Sequence, residues 1–122
     1  MIPTTHRVLI VDDHPVNRKL ATLVLRNAGI PSLEAHSGEE ALRILEGEAF
    51  TCVLLDVNMP GIGGEEVCQR IRADARLQHL RVVAYTAHAF EEERKRILAA
   101  GFNDLVTKPI TKERLLAALE PH

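Results

Sequence analysis

Short runs of β-branched and other apolar residues recur along this chain, each followed by a stretch with helical spacing. That alternation restricts the fold more than any other feature. "RVLIV" (7–11) reads as a buried strand. In "DDHPVNRKLATLVLRNAG" (12–29) the spacing is helical: Pro15 suits a first turn, Leu20, Leu23 and Val24 share a face, and Gly29 can stop the helix. "IPSLEAHS" (30–37) is a weaker strand, placed at an edge by Pro31 and its polar alternation. "GEEALRILEG" (38–47) predicts a helix with Ala41, Leu42 and Leu45 inward and Ser37 as its cap. "TCVLLD" (51–56) is the most apolar strand and hence central. A helix over 63–74 turns Val67, Cys68 and Ile71 inward, and 80–86 is a fourth strand. A helix over 89–101 carries acids early and bases late, as its dipole prefers; a strand over 103–107 and a helix over 111–120 follow. Five strands alternating with five helices predict an α/β fold with a parallel sheet covered on both faces. No repeat, linker or low-complexity stretch interrupts the pattern, so residues 1–122 are expected to form one domain.

Composition narrows the function. The 122 residues carry a net charge of −2, which gives no general reason to bind nucleic acid or an anionic membrane. "MIPTTHRVLIVDD" is not expected to act as a signal peptide, because charges interrupt its apolar run, and no apolar run nears the ~18 residues of a membrane span. Cys52 and Cys68 form no C-x-x-C motif and read as buried free thiols, which suits a cytoplasmic setting.

In such sheets ligands bind in the crevice beyond the carboxyl ends of the strands. Those ends are Asp12 and Asp13, Asp56, Thr86 and Lys108. Two carboxylates about 4 Å apart repel by roughly 4 kcal/mol at an effective dielectric of 20. Lys108 offers one positive charge against three acids, so a divalent cation is expected, and all-oxygen ligands favour Mg2+, or Mn2+, over zinc. A metal-bound carboxylate beside a lysine and a hydroxyl suits phosphoryl chemistry. Asp56, alone on the central strand, is the candidate nucleophile, and Asp12 with Asp13 the metal-holding pair. His14 reads as a helix-start residue facing solvent rather than a ligand. His6, His36, His79 and His122 show no ligand spacing.

"VLIVDD", "LLDVNMPG", "AYTAHA" and "TKPI" resemble the matching segments of response-regulator receiver domains of two-component signalling, and the resemblance covers essentially the whole chain. It implies a flavodoxin-like doubly wound sheet of order 2-1-3-4-5. It also implies that Asp56 accepts phosphate from a phosphohistidine and that Asp13, Asp56 and the backbone carbonyl of Asn58 ligate Mg2+, with Asp12 acting mainly through water. Thr86 and Lys108 would contact the phosphoryl oxygens. Ala87, His88, Leu105 and Pro109 would stand at modulating positions, with the Lys108–Pro109 bond cis. "DDHPVNRKLA", "AYTAHAF" and "GFNDLVTKPI" look most like receivers of hybrid sensor histidine kinases.

Leu105 departs from the family, which commonly has Tyr or Phe there as a rotating switch. Strand alternation points Tyr85, the only tyrosine, to the opposite face, as plain packing. Expected partners are a histidine kinase or histidine phosphotransfer domain, docking on the first helix near Val16 and Leu20. No output domain is expected after the fifth helix, as in a stand-alone receiver or one domain of a larger kinase. Three rivals fit less well. An aspartate-nucleophile phosphatase needs an acid where Asn58 stands. A structural module with a dead site would not keep all five site residues, and a nucleotide-binding fold would show G-x-G-x-x-G after the first strand. Asp12 or Asp13 acting only as a helix cap is the bland alternative.

Overall fold

The computed structural model describes residues 6–87 and 90–119. In chain order it contains β1 (Val8–Val11), α1 (Pro15–Asn27), β2 (Ser32–Ala35), α2 (Gly38–Gly47), β3 (Cys52–Asp56), α3 (Gly64–Ala73), β4 (Arg81–Thr86), α4 (Glu91–Ala99), β5 (Asp104–Thr107) and α5 (Lys112–Leu119). The strands are all parallel in the order β2-β1-β3-β4-β5. β1 and β3 are buried at every position because helices cover both faces, which is why they are continuously apolar rather than alternating. The weaker, more polar β2 lies at an edge, as Pro31 and Glu34 foretell.

Alternate residues of each strand feed two cores. Leu9, Val11, Val53, Leu55 and Val82 pack with Ala41, Leu45, Val67, Cys68 and Ile71. Val8, Ile10, Leu54, Val83 and Tyr85 pack with Ala21, Leu25, Leu115 and Ala118. The expected inward faces of α2 and α3 are confirmed, and the Ser37 side chain caps α2 by accepting from the Glu40 N–H.

α1 begins at Pro15, the first-turn position expected from the sequence, with His14 as its N-cap residue and no side chain capping it. Asp12 and Asp13 therefore do not serve as caps. Its buried face is Ala21 and Leu25 with Val24 partly covered, whereas Leu20 and Leu23 lie 37% and 49% exposed beside Val16 at 79%. Leu20 and Leu23 thus lie on an outward stripe with Val16, while Ala21 and Leu25 face the sheet.

The two ends of the sheet are built differently. At the amino ends, the Arg72 guanidinium donates to the carbonyls of Gly101, Gln78 and Leu80 and to the Asn103 side chain. At the carboxyl ends the chain is held close by small residues. A Cβ on Gly64 would stand 2.4 Å from the Asp56 carbonyl oxygen and 2.7 Å from Val57 Cα. Both are backbone atoms, so neither can swing aside. Gly64→Ala is expected to cost about 1–3 kcal/mol of unfolding free energy, the usual range for overpacking. Urea denaturation checks this, and an unchanged midpoint would contradict the close approach.

Candidate functional site

Each strand turns its last residues toward one crevice. β1 delivers Asp12, fully buried, and Asp13, half-buried. β3 ends on the buried Asp56, and β4 on the buried Thr86. Lys108 follows β5 directly, its backbone N–H donating to the Thr86 carbonyl at 2.8 Å. Its ammonium stands 3.3 Å from Asp56 Oδ2 and 3.7 Å from Asp12 Oδ2. The structure thus brings together Asp12, Asp13, Asp56 and Lys108, and sets Thr86 beside them through the β4–β5 pairing.

The turn after β3 is shaped by its own carboxylate: the Asn58 N–H donates to Asp56 Oδ1 at 3.0 Å. In parallel fashion the His14 N–H donates to Asp12 Oδ1 at 2.9 Å. These bonds fix one oxygen of each acid. The other oxygens, Asp12 Oδ2 and Asp56 Oδ2, are buried and accept no hydrogen bond, and the same holds for Asp13 Oδ1. Orphaned buried carboxylate oxygens are costly, and one ammonium cannot compensate three acids. One donor atom from each of Asp12, Asp13, His14 and Asp56 lies within 4.8 Å of the others, a spread that a single cation could bridge. An oxygen-dominated set of this kind fits a hard divalent ion.

Electrostatics agree with the geometry. Burial pushes the Asp56 carboxyl up to about 6, and the Asp12 carboxylate adds to the rise; the Asn58 N–H and the Lys108 ammonium oppose it.

The four positions to which the resemblance gives modulating roles are placed as follows. Ala87 is exposed just beyond β4, Pro109 is exposed with its preceding peptide bond cis, and His88 lies outside the described residues. Leu105 on β5 is partly buried against the core lined by α2, α3 and α4, whereas Tyr85 belongs to the opposite core, as strand alternation requires.

Three contributors were missed from sequence. The Tyr85 ring lies beneath Lys108, whose Nζ is 4.8 Å from the ring centroid. Arg18 donates to the Asp12 backbone carbonyl at 2.8 Å and to Glu34 at 3.2 Å, so α1 braces the acid loop. His14, read as facing solvent, is indeed exposed, but its Nδ1 turns back to within 3.1 Å of Asp13 Oδ1. An arginine one turn into the helix was the only visible signal for the brace, and none of these contacts has a local sequence pattern.

A sheet of order 2-1-3-4-5 with its acidic crevice at the β1/β3 switch point defines the flavodoxin-like class of α/β proteins. Within it, the chain belongs to the response regulator receiver domain family of two-component signalling, whose model matches residues 8–120. The sensor protein GacS of Pseudomonas syringae pv. syringae is 38% identical over 112 residues, covering 89% of this chain and 12% of GacS. The sensor histidine kinase RcsC of Salmonella typhi is 40% identical over 112 residues, covering 92% of this chain and 12% of RcsC. The chain therefore spans about an eighth of these curated relatives, at 12% of each. Among solved structures, the receiver domain of sensor histidine kinase PA1611 from Pseudomonas aeruginosa PAO1, with magnesium coordinated in its active-site cleft, superposes with a TM-score of 0.86. It is 29% identical and covers 95% of both chains.

The raised affinity of Asp56 for its proton has a consequence for metal-free protein. The folded state binds that proton more tightly than the unfolded chain, whose carboxyl titrates near 3.8. The charge penalty is absent below pH 3.8, grows as pH rises toward about 6, and is complete above it. Without divalent ions, Asp56→Asn is expected to be more stable than the parent at pH 8 by about 3 kcal/mol. The gap should shrink as pH falls through this window. Thermal or urea unfolding across pH measures it, and a gap independent of pH would refute the assignment.

Proposed function

We propose that this chain is a phosphoacceptor whose Asp56 takes a phosphoryl group from the phosphohistidine of a histidine kinase or histidine phosphotransfer domain. The observation that carries this reading is the buried Asp56 Oδ2, free of hydrogen bonds and 3.3 Å from the Lys108 ammonium. That oxygen attacks phosphorus, the P–N bond breaks, and the electron pair leaves with the donor imidazole. Lys108 and Thr86 then hold phosphoryl oxygens, and the Asn58 N–H keeps the second carboxylate oxygen of Asp56 in place.

Asp13, Asp56 and the Asn58 carbonyl would hold Mg2+, or Mn2+, with Asp12 acting mainly through water. When bound, the ion neutralises negative charge on the phosphoryl group and the carboxylates. Magnesium in the cleft of the PA1611 receiver supports this choice. Hydrolytic turnover is not expected, because Asn58 stands where an aspartate-nucleophile phosphatase places its general acid.

Partner docking is assigned to the outward stripe of α1, where Val16, Leu20 and Leu23 are exposed beside the phosphoacceptor crevice. No described helix is long and apolar enough to cross a membrane. We place the domain's work in the cytoplasm, with no direct nucleic-acid contact.

Incubation with Mg2+ and acetyl phosphate, followed by intact mass measurement, tests the reading. A single acid-stable, base-labile phosphoryl adduct is expected, absent in Asp56→Asn. No adduct, or release of phosphate over many turnovers, would overturn it. Lys108→Ala should slow adduct formation by about 10²-fold, as loss of an oxyanion donor does. Leu105→Ala should leave the rate unchanged, since its side chain packs in the core away from the crevice; a collapse of the rate in that variant would show that Leu105 belongs to the chemistry.

A further inference from the structure

We propose that His14 is a ligand of the cation in this crevice, through Nδ1. The donor set is then mixed nitrogen and oxygen, and its preference shifts from Mg2+ toward Mn2+ and the later first-row divalent ions. The inference rests on reading the crevice as a divalent cation site, and it concerns what that site selects.

The distances carry it. His14 Nδ1 lies 3.1 Å from Asp13 Oδ1 and 3.5 Å from Asp12 Oδ1. An octahedral shell of radius about 2.0–2.1 Å sets neighbouring ligand atoms ~3 Å apart, so the Asp13–His14 spacing matches one edge of such a shell. The ring is also held to this side by its backbone. His14 is the N-cap of α1 with extended φ and ψ of −95° and 115°, and its N–H is tied to Asp12 Oδ1. Pro15 at the helix start restricts His14 to that extended backbone. The nitrogen therefore faces the acids from a braced position.

The acids confirm that something is owed to them. Asp13 Oδ1, the oxygen nearest the ring nitrogen, is buried without a hydrogen bond, as are Asp12 Oδ2 and Asp56 Oδ2. The ring nitrogen stands 3.1 Å from Asp13 Oδ1, and with Nδ1 unprotonated both atoms offer lone pairs to one ion. Side by side with an orphaned carboxylate oxygen, the nitrogen is placed as a second donor to a shared ion. The ring is exposed on its far side, at 63%, so it can join or leave without disturbing the core. Imidazole adds little for Mg2+, which prefers oxygen, and more for Mn2+, Co2+ and Ni2+ in rising order.

The test uses the untagged full chain with Mn2+ as the probe. Pulsed electron paramagnetic resonance of the Mn2+ complex should show imidazole 14N coupling that disappears in His14→Ala. Titration calorimetry should show the ratio of Ni2+ to Mg2+ affinity falling about tenfold in His14→Ala, the lower end of what loss of one metal-supporting side chain costs. Absence of nitrogen coupling in the parent, or an unchanged ratio in the variant, would overturn the proposal and leave His14 as a bystander to Asp13. Asp13→Asn separates the two readings: if it binds Mn2+ as tightly as the parent, the cation site itself is wrong.

Discussion

Two carboxylates buried side by side, Asp12 and Asp56, face a single ammonium at the carboxyl edge of the sheet. The arrangement is expensive, because each ionised acid taken out of water costs several kcal/mol unless it is paired. Much of the local architecture serves to hold that arrangement. The Asn58 and His14 N–H groups each occupy one oxygen. The Thr86 carbonyl anchors the Lys108 backbone, and the Tyr85 ring supports its ammonium from below. What these contacts leave is a set of clustered carboxylate oxygens without a hydrogen bond, two of them sharing the one ammonium. A fold optimised only for stability would have filled that crevice with apolar side chains.

The cost is affordable because the rest of the sheet is conservative. β1, β3 and β4 are buried almost throughout, and the helices close both faces with aliphatic side chains. The amino-terminal edge is fastened by arginines that bond backbone: Arg72 to three carbonyls, and Arg81 to the Ala118 carbonyl. Parallel strands place all their carboxyl ends on one side, so packing and chemistry are separated along the strand axis. Stability is concentrated at one end, and unsatisfied charge at the other.

This separation explains what could be read from the sequence. Strand identities were legible because fully buried strands must be continuous runs such as "VLIV" and "CVLLD". The site residues were legible for the related reason that a charge directly after such a run has to sit at the sheet edge. The inward face of α1 was not legible: Leu20 and Leu23 have the right spacing for a core stripe, yet Ala21 and Leu25 occupy it. Hydrophobic spacing offers more than one apolar stripe on this helix, and only the packing against the sheet selects the one through Ala21 and Leu25. Gly64 was illegible for a similar reason, since its role is the 2.4 Å that a Cβ would leave to the Asp56 carbonyl. His14 and Arg18 reach their partners through the turn of the chain after β1, which no pattern in the sequence records.

Leu105 brings the same reasoning to signalling. A flat ring can swap between an inner and an outer position with little change in volume displaced along its edge, whereas a branched aliphatic side chain packed in a core has no equivalent pair of places. Leu105 packs against the core lined by α2, α3 and α4, and Tyr85 is rooted in the core of α1 and α5. Neither can travel to the other's side of the sheet. Motion at the crevice must therefore pass along groups that already connect it to its surroundings. On the β4–β5 side these include the Thr86–Lys108 backbone bond and the contact of Lys108 with Tyr85. A shift of the Lys108 ammonium toward a newly acquired anion would relax the second contact before the first, because a cation over a ring is weaker and less directional than an N–H to carbonyl bond. The packing that shares Tyr85's core is that of Val83, Val106 and Leu115, so β4, β5 and α5 all border the event.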